Sequence, residues 1–179
     1  MRMSKIKSIW SRIEISVRAR DPGKLQEFPQ GTTLEEIQEV EEAINVRLPK
    51  DVRDSYLLHN GSARIWISDF GFLMPLIDRD ARRPTSGFGV LNLWQKMLRV
   101  SEDLGDERSA PVGPIRNDHW NTRWVPLTEN DCGDFICLDL APAKGGRRGQ
   151  VIEWWARGGA QRVLANSFIE WLENLFPEA

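Results

Sequence analysis

Three short segments decide the fold of this chain: Trp124-Val-Pro-Leu127, Gly133-Asp-Phe-Ile-Cys-Leu-Asp-Leu-Ala-Pro142 and Gly145-Gly-Arg-Arg-Gly-Gln-Val-Ile-Glu-Trp-Trp155. In the middle segment, Ile136 and Leu138 alternate with Cys137 and Asp139, and a period of two is typical of a half-buried strand. The glycines of the third segment allow the positive φ angles that a chain reversal needs. The pattern therefore predicts three consecutive strands, with Leu138 facing the core and Asp139 facing away from it.

Periodic segments elsewhere predict helices before these strands and one helix after them. Apolar residues recur there at helical spacing, and Thr32 or Thr33, Pro49 and Ser167 are residues that favour helix starts. Strand-like apolar pieces occur between Arg64 and Met74, separated by Asp69 and Gly71, and a short last strand is predicted at Gln161–Ala165. The predicted helices span about residues 4–17, 32–44, 49–60, 89–104 and 167–176, and the predicted polar loops span 79–87 and 105–120.

This order of elements indicates an α+β architecture. We expect a mostly antiparallel sheet with helices packed on one face, which leaves the other face open to solvent or to a partner. The length of 179 residues favours a single domain, residues 1–179, with a sizeable core.

Composition excludes several classes of function. The net charge of −2 indicates no basic surface for direct nucleic-acid binding. The first residues lack the apolar run of a signal peptide, and we find no segment as long as a membrane span. Cys132 and Cys137 have neither disulfide-framework nor metal-knuckle spacing, so we expect a reducing, cytoplasmic location.

Two further segments flank the strands in a recognisable order. Leu48-Pro-Lys-Asp-Val-Arg-Asp-Ser-Tyr-Leu-Leu-His-Asn-Gly61 precedes them, and a Phe-x-x-Trp-Leu helix at 168–172 follows them. Together with the three strands, this ordered set resembles the Smi-one/Knr-four family of the SUKH superfamily. The resemblance covers roughly residues 28–176 and implies a SUKH-like fold, and the predicted helix at 4–17 lies outside that core.

That superfamily holds bacterial immunity proteins against polymorphic toxins and fungal regulators of cell-wall assembly. Fungal members typically carry long disordered flanks, and this chain has almost none, so our main hypothesis is the immunity branch. The resemblance then implies a protein-binding module that occludes the active site of a cognate toxin domain, a nuclease in our expectation. The alternative hypothesis is a regulatory scaffold in cell-wall assembly or signalling.

Residues that could carry chemistry are scattered through the sequence. A nucleophilic triad needs a Ser or Cys beside a His and an acid, but His59 fits a helix end, His119 a loop and Cys137 the middle of a strand. Glu153 is followed by Trp154 and Trp155, where a Glu-x-Lys nuclease sequence would have a lysine. We therefore predict no catalysis, no metal and no cofactor.

Carboxylates and tryptophans near the strands are the candidates for a partner-binding surface. Acids opposite a basic toxin cleft would orient its approach, and an exposed tryptophan would anchor it. Trp66, Trp94, Trp124, Trp154 and Trp171 are assigned to the core. The predicted surface is the sheet side that carries Asp139, Glu153 and Trp155, extended by the loop residues Asp118, Trp120, Asp131 and Asp134. A simpler hypothesis, left open, is that these acids are only solvated.

The turn Lys144-Gly-Gly-Arg-Arg-Gly149 does not match a phosphate-binding Walker loop, because no Gly-Lys-Ser/Thr sequence opens a helix there. It could contact an anion, and the simpler hypothesis is a solvated hairpin turn. The sequence leaves these two alternatives open.

Overall fold

The order of helices and strands follows the prediction. A computed structural model describes residues 2–20, 23, 28–62, 65–69, 71–78, 89–105 and 107–177, without the side chains of residues 2–4. The predicted loop at 79–87 lies outside the described residues. The described helices and strands are α1 (Arg2–Arg20), α2 (Leu34–Ala43), α3 (Lys50–Leu58), β1 (Trp66–Ser68), β2 (Gly71–Leu73), α4 (Val90–Leu104), β3 (Trp124–Glu129), β4 (Phe135–Asp139), β5 (Gln150–Trp155), β6 (Gly159–Ala165) and α5 (Phe168–Leu175).

All six strands form one sheet in which each strand pairs with its neighbours in the sequence. The order is β1-β2-β3-β4-β5-β6, and every pairing is antiparallel. The predicted α+β fold is therefore confirmed. Residues 130–134 join β3 to β4, and residues 140–149 join β4 to β5. The three decisive segments therefore pair as consecutive antiparallel strands, as the sequence predicts.

Side-chain caps mark two helix starts at the predicted residues. Thr33 accepts a hydrogen bond from the Glu36 amide, and the Glu36 carboxylate accepts one from the Thr33 amide, which completes a capping box at the start of α2. Ser167 accepts from the Glu170 amide at the start of α5.

Helix α1 extends beyond the predicted range of 4–17 at both ends. Its apolar face is fully or almost fully buried, and the helix contacts α3 and α5. Trp10 donates a hydrogen bond from Nε1 to Ser55 Oγ of α3 at 2.9 Å. The buried residues of this face are Ile6, Ile9, Trp10, Ile13 and Val17.

Strand β4 is buried on both faces, so the prediction that only one of its faces is buried is wrong. Leu138 and Asp139 are both 0% exposed. Cross-strand register places Phe135, Cys137 and Asp139 on one face, with Ile136 and Leu138 on the other. The alternation is real, but it separates two buried faces rather than a core face from a solvent face.

The cover on the Asp139 face is the segment 107–121, most of which lies within the predicted polar loop 105–120. Trp154 donates from Nε1 to the His119 carbonyl at 2.7 Å, and Gln150 donates from Nε2 to the Pro114 carbonyl at 3.1 Å. Ile115 and Trp120 of the segment are buried. Although this segment is mostly polar, its two apolar side chains, Ile115 and Trp120, cover the second face of the sheet.

Because both faces are covered, Leu138→Ala and Asp139→Ala should each destabilise the protein. We expect a loss of about 2–5 kcal/mol for the leucine and about 1–3 kcal/mol for the aspartate, whose hydrogen-bond partners would stay buried. Denaturant unfolding measures both losses. Asp131→Ala, at an exposed position, is the control and should change the stability by less than about 0.5 kcal/mol. An Asp139→Ala loss as small as that of the control would contradict the register.

Candidate functional site

The predicted partner surface is divided by the register of β4 and β5. Asp139 lies opposite Gln150, whereas Glu153 lies opposite Ile136, so the two carboxylates occupy opposite faces of the sheet. Asp139 is 0% exposed and Glu153 is 2% exposed. The prediction that they share one open face is wrong, because alternation along a strand does not determine its register with the next strand.

Asp139 holds the end of β4 together with the turn that follows. Its Oδ1 accepts from the Ala141 amide at 2.9 Å, and its Oδ2 accepts from Gln150 Nε2 at 2.8 Å. Burial raises the pKa of the Asp139 carboxyl, and the hydrogen bonds from Ala141 and Gln150 and the charge of Arg116 act in the lowering direction. Both oxygens are bonded within the fold, so Asp139 serves the structure.

Glu153 is held from two sides. Its Oε2 accepts from Arg162 Nε at 2.6 Å across the β5–β6 pair, and its Oε1 accepts from Trp155 Nε1 at 2.8 Å. Arg162 itself is well exposed. Glu153 is therefore buried, and it positions two side chains that reach the surface.

Trp120 is a core residue and not the exposed anchor that the sequence predicts. It is 7% exposed and meets Trp124 and Trp154 edge to face, with ring centroids 6.0 and 5.8 Å apart. Trp154 also stacks on Phe135 at 4.8 Å. The neighbours of Trp120 could not be identified from the sequence, because they lie on strands that follow it in the chain.

The other tryptophans divide between core and surface. Trp94, Trp124, Trp154 and Trp171 are buried, as predicted. Trp66, predicted to be core, is 46% exposed on the edge strand β1. Trp155, the second candidate for an exposed anchor, is also 46% exposed.

One end of the sheet retains part of the predicted surface around Trp155. Asp134 Oδ1 accepts from the Ala156 amide at 3.0 Å, which joins the β3–β4 turn to the β5–β6 turn. Asp131 is exposed in that same β3–β4 turn. Asp118 is half-buried and is paired with Arg108 at 2.9 Å. The structure thus brings Asp131, Asp134 and Trp155 to one end and leaves Asp118 neutralised by a neighbour.

Two residues of this end are absent from the predicted surface. They are Val112, which is 76% exposed, and Arg162. Val112 forms a parallel β-bridge with Arg162, beside the bond between Arg162 and Glu153. Neither residue carries a sequence signal, because only the pairing of the segment 107–121 with β6 brings Val112 there. We call Trp155, Arg162, Val112, Asp131 and Asp134 the Trp155 surface.

Potential catalytic groups are engaged in the fold. Cys137 is fully buried, and burial together with the nearby Asp139 raises the pKa of its thiol well above the ordinary value. The imidazole of His59 lies 3.1 Å from the Pro29 carbonyl and 3.2 Å from Glu14 Oε1. Among the described residues, no group of three or more His, Cys, Asp or Glu side chains could hold a metal ion.

The fold is thus an α+β structure in which β4 and most of β5 are buried on both faces, and Trp155 is exposed at the end of β5. The model of the SMI1 / KNR4 family (SUKH-1) matches residues 31–174. The chain belongs to this family.

Relatives with curated names are fungal. The chain is similar to the "Cell wall biosynthesis/cell cycle regulator smi1" of Schizosaccharomyces pombe, with 25% identity over 79% of this chain and 30% of the relative. It is also similar to the "Glucan synthesis regulatory protein" of Neurospora crassa, with 21% identity over 93% of this chain and 37% of the relative. The "Cell wall assembly regulator SMI1" of Saccharomyces cerevisiae is 20% identical over 91% and 38%.

The chain spans about a third of the length of these relatives. All three are named as regulators and none as an enzyme. Among the described helices of this chain, none is both long and apolar enough to cross a membrane.

The raised pKa of Asp139 makes a prediction about acid stability. The folded state holds this proton more tightly than the unfolded state, so stability falls as the pH rises from the ordinary value of 3.8 through the raised pKa. Asp139→Asn has no such proton. The stability of the wild type relative to Asp139→Asn should therefore decrease across that window, as measured by denaturant unfolding at several pH values. If the wild type instead gains stability relative to Asp139→Asn as the pH rises, the assigned burial of Asp139 is contradicted.

Proposed function

We propose that this chain is a protein-binding module of a regulatory protein, with a role in cell-wall assembly or the signalling that controls it. Family membership and the names of three fungal relatives support this function. The module would act without catalysis, in the cytoplasm, where Cys132 and Cys137 would stay reduced as the free thiols they are here. Its contact with a partner would be made by the Trp155 surface.

The comparisons favour the regulatory function over the immunity function. The immunity hypothesis came from the family resemblance and the short flanks, and the binding surface predicted for it was a carboxylate face with Asp139 and Glu153 as central members. Both are buried and bonded within the fold. The relatives described above are named for cell-wall and glucan-synthesis regulation.

The observation that carries the proposal is the half-exposed indole of Trp155, which a hydrogen bond to Glu153 holds in one orientation. A tryptophan buries a large area with few rotatable bonds, which is why the residue is frequent at interface hot spots. The bond from Trp155 Nε1 to Glu153, itself held by Arg162, orients the ring before any partner arrives. Ordering it on binding therefore costs little entropy.

Absence of catalysis is the second part of the proposal. The buried thiol of Cys137 would stay protonated near neutral pH, which makes it a poor nucleophile. Glu153, the strand carboxylate that a nuclease would use, is bonded to Arg162 and Trp155. We expect no hydrolysis of nucleic acid above background by the wild type. Activity that disappears in Glu153→Ala would contradict this part.

Trp155→Ala should abolish partner binding without unfolding the domain. Trp66→Ala is the matched control, because both indoles are 46% exposed and Trp66 lies on the opposite part of the sheet, in β1. Tagged wild type and both variants would be used to recover proteins from cells of the source organism, with quantification by mass spectrometry. We expect a cell-wall or signalling protein whose recovery falls about tenfold or more with Trp155→Ala and stays unchanged with Trp66→Ala.

Two results would contradict the proposal. Equal losses in both variants would show that exposed tryptophans bind proteins without specificity. Recovery of a toxin domain as the specific partner would restore the immunity function. Circular dichroism and thermal melting of each variant check that the fold is retained.

A further inference from the structure

A polar pocket lies at the end of β5 opposite Trp155. It occupies about 400 Å³ between the C-terminal end of α2 and the turn between β4 and β5. Three of its lining side chains are arginines that come from distant parts of the sequence. The residues that line it are Glu41, Glu42, Asn45, Val46, Arg47, Arg123 and Arg148, and we call it the arginine pocket.

Each of these arginines is held in place by one hydrogen bond. Arg123 donates from Nη1 to the Asn45 carbonyl at 2.8 Å, and Arg148 donates from Nη2 to the Arg47 carbonyl at 2.7 Å. Arg47 donates from Nη1 to Glu41 Oε2 at 2.8 Å. A guanidinium has five N–H donors. Among the described residues, these single bonds are the only side-chain hydrogen bonds of the three arginines, so donors remain for a ligand.

The positive charge of the pocket exceeds its negative charge. Glu41 is 3% exposed and already accepts from Arg47 and from the Leu48 amide, while Glu42 is the second acid. Lys144 and Arg147, both exposed, add two charges in the same turn as Arg148. The carbonyls of Asn45 and Arg47 offset part of this charge, and the remainder lacks a partner within the described structure.

We propose that the arginine pocket binds the oxyanion of an acidic protein segment, either a glutamate or aspartate carboxylate or a phosphorylated side chain. The fork of a guanidinium group matches the geometry of both oxyanions. A volume of about 400 Å³ accommodates a side chain. Glu42 in the pocket and the net charge of −2 disfavour the continuous phosphate backbone of a nucleic acid. This site is independent of the Trp155 surface, and Arg148 would make the anion contact of the turn at 144–149.

Labelled synthetic peptides test the proposal with the wild-type chain. One peptide is glutamate-rich with a central phosphoserine, the second has glutamate at that position, and the third has glutamine in place of every acid. Fluorescence anisotropy measures binding at low and at physiological salt. We expect one or both acidic peptides to bind and the neutral peptide not to bind. The comparison of the two acidic peptides identifies the preferred oxyanion.

The matched variants separate the pocket from general charge. Arg123→Gln combined with Arg148→Gln should weaken binding about tenfold or more, whereas two changes outside the pocket lining, Arg147→Gln combined with Lys144→Gln, should weaken it about twofold or less. Because the pocket arginines also bond backbone carbonyls, their variant is checked by thermal melting. If it does not fold, the side-chain Nε–Hε signals of Arg123 and Arg148 in the wild type, followed by NMR during peptide titration, give the same answer.

Three results would overturn the proposal. The first is no binding of either acidic peptide. The second is an equal loss in the two double variants, or peptide binding that leaves the Arg123 and Arg148 signals in place. The third is binding of a single-stranded oligonucleotide more tightly than either acidic peptide.

Discussion

The contact on which the rest of the structure depends is the packing of Trp154 between Phe135 and Trp120. The ring of Trp154 stacks on Phe135 at 4.8 Å and meets the edge of Trp120 at 5.8 Å, while its Nε1 donates to the His119 carbonyl. These contacts hold the segment 107–121 over the sheet. As a result, β4 and most of β5 lie inside the core, and an open sheet face is excluded as the binding surface in this part of the molecule.

Because both faces of β4 and most of β5 are covered, the exposed groups that could bind a partner lie at the two ends of β5. Trp155 follows Trp154 in the sequence, points to the other face and reaches solvent, where Glu153 and Arg162 orient it. At the other end, Arg148 of the glycine-rich turn joins one arginine from the turn before β3 and one from the loop after α2. One end thus presents an aromatic ring with nearby acids, and the other presents cations. The proposed binding module would therefore meet two different features of its partners.

Local signals in the sequence were sufficient to predict the helices and strands. They were insufficient to predict which side chains are buried and which share a face of the sheet. The capping residues Thr33 and Ser167, and the alternation in β4, depend on neighbours within a few positions, so they could be predicted. The faces of Asp139 and Glu153 depend on the register between strands, and the burial of Trp120 depends on strands that follow it. Trp155 could be identified because it adjoins Trp154 in a strand, which forces the two rings apart. The arginine pocket could not, since its members are far apart in the sequence.

Hydrogen–deuterium exchange of the free wild-type protein tests most directly whether the segment 107–121 closes the sheet. The amides of Ser109 and Val112 donate to the carbonyls of Asn117 and Gln161, both at 2.7 Å. We expect these amides to exchange slowly in the wild type. Trp120→Ala should accelerate their exchange, and it should accelerate exchange of the β4 amides much less, because the segment opens locally while the sheet stays folded. Fast exchange at Ser109 and Val112 in the wild type, beside well-protected amides in β4, would contradict the account and restore an open sheet face.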